Sequence, residues 1–327
     1  MNKKVLKYLF WAAVAVVLVY FCVRNIDDWT EFVNDLVQCS WGWVIVSIVL
    51  GVLSQAIRAL RWQMLLRPLD PKISFITCFN AYNICMVVNL AVPRAGEFAR
   101  MGIVAKNSSA GADKALGTIV VERLWDIIFL MLMTALVLAL KWEDFGAVLT
   151  NTFASGGSGS SILFLVGGFT LLVVILVLLS WLLRNKGSFW AKVWGFITGI
   201  GQGLQSFRQM KKGWLFILYT FILWSIYWLM SAAILQAMHE LPGMTDLGMV
   251  DALFLSLVGS LSSMLPVPGG FGVYHIMVAD SLATLRSAIT AETAMVYAVL
   301  NHESQVLMQA LCGLGSYIHE SFFRRGR

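Results

Sequence analysis

Asn89-Leu90-Ala91-Val92-Pro93-Arg94-Ala95-Gly96-Glu97 and Ser263-Met264-Leu265-Pro266-Val267-Pro268-Gly269-Gly270-Phe271-Gly272 are the two stretches that decide how this chain is read. Each interrupts a hydrophobic run with a Val-Pro dipeptide and glycines, and each occupies a comparable place in one half of the sequence. Within lipid, broken backbone is tolerated only where protein or a water-filled cavity receives the freed amides and carbonyls. Two such breaks in corresponding positions point to the binding site of a carrier.

Outward from the breaks, the chain is 59% hydrophobic and 13% charged, with mean hydropathy +0.77. That composition places it among polytopic membrane proteins and excludes a soluble domain. Unbroken apolar runs at 5–23, 41–60, 161–183, 214–236 and 294–318 approach the roughly 20 residues that a span requires. The run ending at Leu140 is apolar only from Ile127. It spans if its helix begins near Ala115 and carries Glu122, Arg123 and Asp126 into the membrane. The segments 75–105 and 250–286 are split by Pro and Gly into pieces too short to cross singly. The first run follows Lys3 and Lys4 without a small-residue cleavage site, so it reads as a retained span.

Basic residues set the orientation. Lys3, Lys4 and Lys7 lie inside, followed by Asp27, Asp28, Glu31 and Asp35 outside. Arg58, Arg61, Arg67 and Lys72 return the chain to the inside; the 142–160 loop, with Glu143 and Asp144, is outside. The 184–213 loop and the C-terminal Arg324, Arg325 and Arg327 are inside. These sides are consistent only if 75–105 and 250–286 each enter and leave on one face. The expected fold is therefore an all-α polytopic membrane protein with about six full transmembrane helices and two re-entrant helical hairpins. The order span–hairpin–span occurs twice with opposite orientation, an inverted-topology repeat. Eight ordinary spans with short helices are the alternative. One transmembrane domain, 1–327, is expected, with its first repeat at about 41–140 and its second at about 214–318. The cytoplasmic loop 184–213 is amphipathic, with Phe189, Trp190, Trp194 and Phe207 near one helical face. Both termini are expected in the cytoplasm.

Ionisable groups at membrane depth need a partner or a purpose, since each costs about 2.5–3.5 kcal/mol to insert. Arg94, Glu97 and Arg100 surround the first break; the arginines suit a phosphate, and as positive-inside residues they also suit the interface. Glu122 and Asp126 share a helix face beside Arg123. They either hold a cationic headgroup or proton, or form a buried ion pair with Arg94, Arg100 or Arg123. Arg58 and Arg61, one turn apart beside Trp62, engage lipid phosphate or snorkel to the interface. Asn301-His302-Glu303-Ser304-Gln305 is a polar run that lipid cannot surround. His275, just after the second break, is the candidate partner of Glu303, as a titrating pair or as a structural bridge.

Five cysteines lack CxxC spacing, and neither HExxH nor another metal spacing is recognisable. No GxxxxGK[ST] motif is present. No metal, cofactor or nucleic-acid partner is expected.

Taken in order, Arg58-x-x-Arg61-Trp62, Asn89-x-x-x-Pro93-Arg94-x-Gly96-Glu97-x-x-Arg100, Glu122-Arg123-x-x-Asp126 and Leu265-Pro266-x-Pro268-Gly269-Gly270-x-Gly272 resemble the lysylphosphatidylglycerol synthase transmembrane region, a flippase-like family. The resemblance covers nearly the whole chain. It implies a multi-pass protein of the cell inner membrane that moves, or helps to move, a lipid between leaflets. It also implies that the soluble aminoacyl-transferase domain of the two-part relatives is absent, so no enzyme is expected. Two departures stand out. The family pattern places Glu where this chain has His275, and Arg in the last span where it has Asn301-His302-Glu303.

The leading expectation is a flippase-like carrier. Its substrate would be an anionic or aminoacylated phospholipid, or a lipid-linked sugar. The candidate binding residues are Arg58, Arg61, Asn89, Pro93, Arg94, Gly96, Glu97, Arg100, Glu122, Arg123, Asp126, Pro266, Pro268, Gly269, Gly270, Gly272, His275, His302 and Glu303. Two other functions stay open: a non-catalytic scaffold for a lipid-modifying or glycolipid-synthesis enzyme, and a membrane-embedded headgroup transferase. For the scaffold, Gly313 and Gly315 in the last span permit close helix contact with a partner; a homodimer is a candidate assembly.

Overall fold

The structure, a computed structural model, describes residues 26–109, 111–140, 207–265 and 267–323, with single positions at 194, 195, 198 and 205. The expected spans at 5–23 and 161–183, most of the 184–213 loop, and Pro266 lie outside the described residues. Every regular element among the described residues is helical.

Local sequence chemistry sets the helix ends. Helix α1 (Trp29–Gln38) begins at Asp28, whose Oδ1 accepts from the backbone N–H of Thr30 and Glu31 at 2.8 and 3.1 Å. This satisfies two of the donors that a helix start leaves free. Helix α2 (Trp41–Leu66) follows, then α3 (Phe75–Ala91), where the Ser74 hydroxyl caps the Thr77 amide. Helix α3 stops because Val92 precedes Pro93 and takes extended backbone, as a residue before proline prefers. Helix α4 (Gly96–Asn107) restarts the chain, and α5 (Ala112–Leu140) runs unbroken for 29 residues. The continuity expected upstream of Ile127 is thus present, and Glu122, Arg123 and Asp126 all sit on one long helix. After α6 (Gly213–Ala237) come α7 (Met249–Ser262), a 3₁₀ turn at Pro268–Gly270, α8 (Val273–Leu285) and α9 (Ala291–Ile318).

Three described helices are long and apolar enough to cross a membrane: α2, α5 and α6. They expose large apolar side chains outward, among them Ile45, Val49, Ile128, Leu132, Leu218 and Phe221. These faces suit lipid tails rather than water. Helix α9 has the length, 28 residues, but its polar middle separates it from those three. Helices α4, α7 and α8, with 12, 14 and 13 residues, reach only about 18–21 Å at 1.5 Å per residue, short of a hydrocarbon core about 30 Å thick.

Two apolar cores hold the bundle. One joins the C-terminal part of α2 (Trp62, Leu65, Leu66) to Cys78, Val104, Ile119 and Phe216. The other joins Val44 near the start of α2 to Val137, Ile234, Phe254, Val278 and Tyr297. Along each of the three long helices, the two cores occupy opposite ends.

Candidate functional site

Between those cores lies a cavity of about 600 Å³, within the size range of small-ligand sites. Its wall takes Ser54–Arg58 from α2, Arg123–Leu130 from α5 and Trp224–Ser231 from α6, the stretches that separate one core from the other on those helices. Both sequence breaks reach the same cavity: Asn89, Pro93, Arg94 and Glu97 from the first, Met264, Leu265, Val267, Gly269 and Gly270 from the second. The proline-glycine breaks therefore meet around one space at mid-height of the long helices.

The first break is closed by its own residues. The Asn89 side-chain oxygen accepts from the Gly96 amide at 2.7 Å. A Cβ on Gly96 would lie 2.1 Å from the Cys85 carbonyl oxygen, so only glycine lets α4 start so close to α3. Arg94 adopts φ 62°, a left-handed conformation that costs a non-glycine residue about 1–3 kcal/mol. That turn carries its guanidinium to the second break, where Nη2 donates to the Met264 carbonyl at 2.8 Å. In the second break Gly269 takes φ 58°, beside Leu90 of α3.

Along the cavity wall and behind it, charges are matched. Glu122 is fully buried between Arg61 Nη2 at 3.3 Å and Arg100 Nη1 at 3.0 Å. Arg61 also reaches Asp126 at 2.6 Å, and Arg123 bridges Asp126 at 3.7 Å and Glu97 at 2.8 Å. Arg100 stacks over the Trp62 ring with its guanidinium carbon 4.8 Å from the centroid. Of the expected partners for the α5 carboxylates, Arg100 and Arg123 are engaged; Arg94 is not, and Arg61 takes its place. Arg61, Arg100 and Glu122 do not line the cavity.

Arg58, one turn from Arg61, has a different fate. It lines the cavity, its Nε donates to the Tyr227 hydroxyl, and its guanidinium carbon lies 5.4 and 5.2 Å from the Tyr82 and Tyr227 ring centroids. Among the described residues no carboxylate lies at ion-pair distance from it.

On the opposite wall, α9 turns its polar run inward. Asn301 donates to the Tyr274 hydroxyl at 2.7 Å, and Gln305 reaches the Ser47 carbonyl and hydroxyl of α2 at 3.2 and 3.1 Å. Glu303 Oε1 lies 3.2 Å from His275 Nε2 and 2.9 Å from His302 Nδ1. His302 Nε2 lies 2.9 Å from the Gly269 carbonyl oxygen, at the tip of the second break. His302, Gly269 and Gly270 line the cavity, whereas Gly96, Pro268, Gly272, His275 and Glu303 do not. The linear sequence shows no metal spacing, yet the ligand atoms of His275, His302 and Glu303 all lie within 4.8 Å of one another.

Sequence reasoning passed over Tyr82, Trp224, Tyr227 and Tyr274, aromatic residues of the wall. Trp224 Nε1 is buried without a hydrogen-bond partner among the described residues. Aromatic residues are common in any span, so only the company of Arg58 distinguishes Tyr82 and Tyr227.

A family profile described as the lysylphosphatidylglycerol synthase TM region matches residues 8–313. Glycosyltransferase AglD of Haloferax volcanii is 25% identical over 322 residues, which cover 89% of this chain and 51% of the relative. The chain thus spans about half the length of that curated relative. No solved structure matches. The relative corrects one expectation: a protein similar along most of this chain is a glycosyltransferase, so the reading of the chain as a non-enzyme does not stand. The match at 8–313 leads to one assignment: this membrane protein belongs to the lysylphosphatidylglycerol synthase TM-region family.

Proposed function

We propose that the cavity holds the phosphate-bearing headgroup of a membrane lipid, and that the chain carries this lipid between leaflets in the service of lipid or glycolipid synthesis. Arg58 is the observation that carries the reading. It presents a guanidinium to an aromatic-walled cavity with no carboxylate at ion-pair distance among the described residues. A cation partly withdrawn from water is costly without an anion, and a guanidinium fork matches phosphate oxygens. Glu97 and Asp126 line the same cavity and both pair with Arg123. Their carboxylates suit the ammonium of an aminoacyl headgroup or the hydroxyls of a sugar.

Two further features support a carrier. The breaks converge at mid-height, where carriers with paired broken helices bind their substrates. The short helices α4, α7 and α8 suit two re-entrant hairpins within an inverted repeat, in a protein of the inner membrane with cytoplasmic termini.

The test is reconstitution into liposomes that contain headgroup-labelled anionic, aminoacylated and zwitterionic phospholipids, with quencher accessibility followed over time. Wild-type protein is expected to move an anionic or aminoacylated lipid faster than empty vesicles do, and Arg58→Gln to slow it at least about tenfold. If no lipid moves, the carrier reading fails. The glycosyltransferase relative favours a second reading, that the same cavity presents a lipid-linked substrate for group transfer. Product formation from a lipid-phosphate sugar donor, without lipid movement, would establish it.

A further inference from the structure

We infer that His275, His302 and Glu303 form a binding site for a divalent transition metal ion, zinc being the best match, on the cavity wall beside the second break. Two imidazoles and one carboxylate are the donor set of zinc sites that keep a position open for water or substrate. The triad is assembled from two helices: His275 stands in the first turn of α8, and His302 and Glu303 are consecutive on α9.

The spacing suits an ion. With metal–ligand bonds of about 2.0–2.2 Å, neighbouring ligand atoms of a tetrahedral site stand about 3.3 Å apart. Here Glu303 Oε1 is 3.2 Å from His275 Nε2 and 2.9 Å from His302 Nδ1. The third edge, between the two imidazoles, lies within the 4.8 Å that encloses the group. Closing that edge to about 3.3 Å would turn the His275 ring at the expense of a 3.4 Å contact between its Nδ1 and the Gly272 amide. That contact is longer than a full hydrogen bond.

The outer shell also fits. Metal-bound imidazoles usually give their second nitrogen to a carbonyl or carboxylate, and His302 Nε2 meets the Gly269 carbonyl at 2.9 Å. The Tyr274 and Phe271 rings, at 4.7 and 5.3 Å from the His302 ring, hold the imidazole in place. His302 lines the cavity whereas His275 and Glu303 do not, so the ion would sit at the edge of that space, its fourth position left to water or an anionic oxygen. The inference does not depend on the lipid reading, since the ligands alone define it.

One other arrangement satisfies the same distances without metal. A doubly protonated His302 would donate both ring N–H groups, to Glu303 and to the Gly269 carbonyl. Metal binding separates the two. The full chain, purified in detergent and stripped with chelator, would be dialysed against zinc, with retained metal counted per chain and zinc titrated calorimetrically. Cobalt substitution would report tetrahedral coordination through its visible absorption. The chain contains four histidines and five cysteines, and the triad variants, which keep every cysteine, measure the background from the thiols. Wild-type protein is expected to retain about one zinc per chain. His275→Gln, His302→Gln and Glu303→Gln are each expected to weaken binding at least tenfold, given that loss of outer-shell groups alone costs about 10–100-fold. The exposed His239→Ala is expected to bind as wild type does. Glu303 is 40% exposed, so Glu303→Gln leaves the packing intact and guards against a variant that merely misfolds. A thermal shift with zinc in wild type and none in Glu303→Gln gives a second readout. Wild-type protein that retains no zinc, or triad variants that bind it equally well, would overturn the site and leave the protonated-histidine arrangement.

Discussion

Arg94 and Met264 are 170 residues apart and belong to different breaks, yet Arg94 Nη2 donates to the Met264 carbonyl at 2.8 Å. The bond ties the tip of one interrupted segment to the other across the mouth of a shared cavity. Arg94 reaches it from φ 62°, so a strained backbone and a tertiary hydrogen bond occur in one residue.

This pairing sets an order among substitutions at position 94. Arg94→Ala loses the hydrogen bond and keeps the left-handed backbone, whereas Arg94→Gly loses the bond but relieves the strain. Arg94→Gly is expected to melt higher than Arg94→Ala, by about 1 kcal/mol in stability. Both should move lipid more slowly than wild type in the liposome assay. Equal melting of the two variants would show that φ at this residue relaxes.

Glu122 is expected to be the least replaceable charge. Glu122→Gln removes the carboxylate that pairs with the fully buried Arg100 and leaves the equally buried Arg61 with Asp126 alone. Breaking a buried ion pair costs about 3–5 kcal/mol because the remaining charge is left uncompensated. Thermal denaturation in detergent should show a large loss, while Arg58→Gln, whose guanidinium has no carboxylate at ion-pair distance among the described residues, should melt close to wild type.

Arg58 discriminates charge from geometry. Arg58→Lys keeps a cation but loses the fork and the flat stacking surface between Tyr82 and Tyr227. Lipid movement is expected to fall severalfold in Arg58→Lys and at least about tenfold in Arg58→Gln. Activity in Arg58→Gln equal to wild type would remove Arg58 from the site.

Gly96→Ala places a methyl 2.1 Å from the Cys85 carbonyl oxygen and 2.8 Å from the Asn89 side chain. The α3–α4 junction must then open, at a cost of about 1–3 kcal/mol for overpacking. A lower melting temperature together with slower lipid movement is the expected result.

Acid should weaken the cap of α1. Backbone amides of Glu31 and Thr30 hold the Asp28 carboxyl below its ordinary range. A depressed value in the folded state means that the cap stabilises fully above the unfolded pKa of about 3.9 and is lost as pH falls through the folded value. The difference in melting temperature between wild type and Asp28→Ala is expected to be widest near neutral pH and to shrink below about pH 4. A difference independent of pH would assign the cap to geometry rather than charge.

Much of the architecture was legible because the relevant chemistry is local. Pro93 ends α3 through its restriction of Val92, and the polar run 301–305 must turn inward wherever it lies in a membrane. The start of α5 upstream of Ile127 followed from length alone. The charge network was far less legible. Arg58 and Arg61 are both arginines one turn apart on α2, and no local rule separates them. Arg61 meets Glu122 and Asp126 from α5, whereas Arg58 faces the cavity between two tyrosines, so the roles expected for them diverge only when α2, α5 and α6 are packed.

The amino-acid sequence by itself determined the membrane class, the two breaks and the family, because hydropathy and proline geometry act within a few residues and the motifs are read in order along the chain. Only the tertiary structure decided which charges cancel, which one faces an aromatic cavity, and that His302 joins the expected pair of His275 and Glu303. Coulombic pairing and metal coordination depend on distances of a few ångströms between helices. Those distances are set by packing of the two apolar cores, which no stretch of sequence contains.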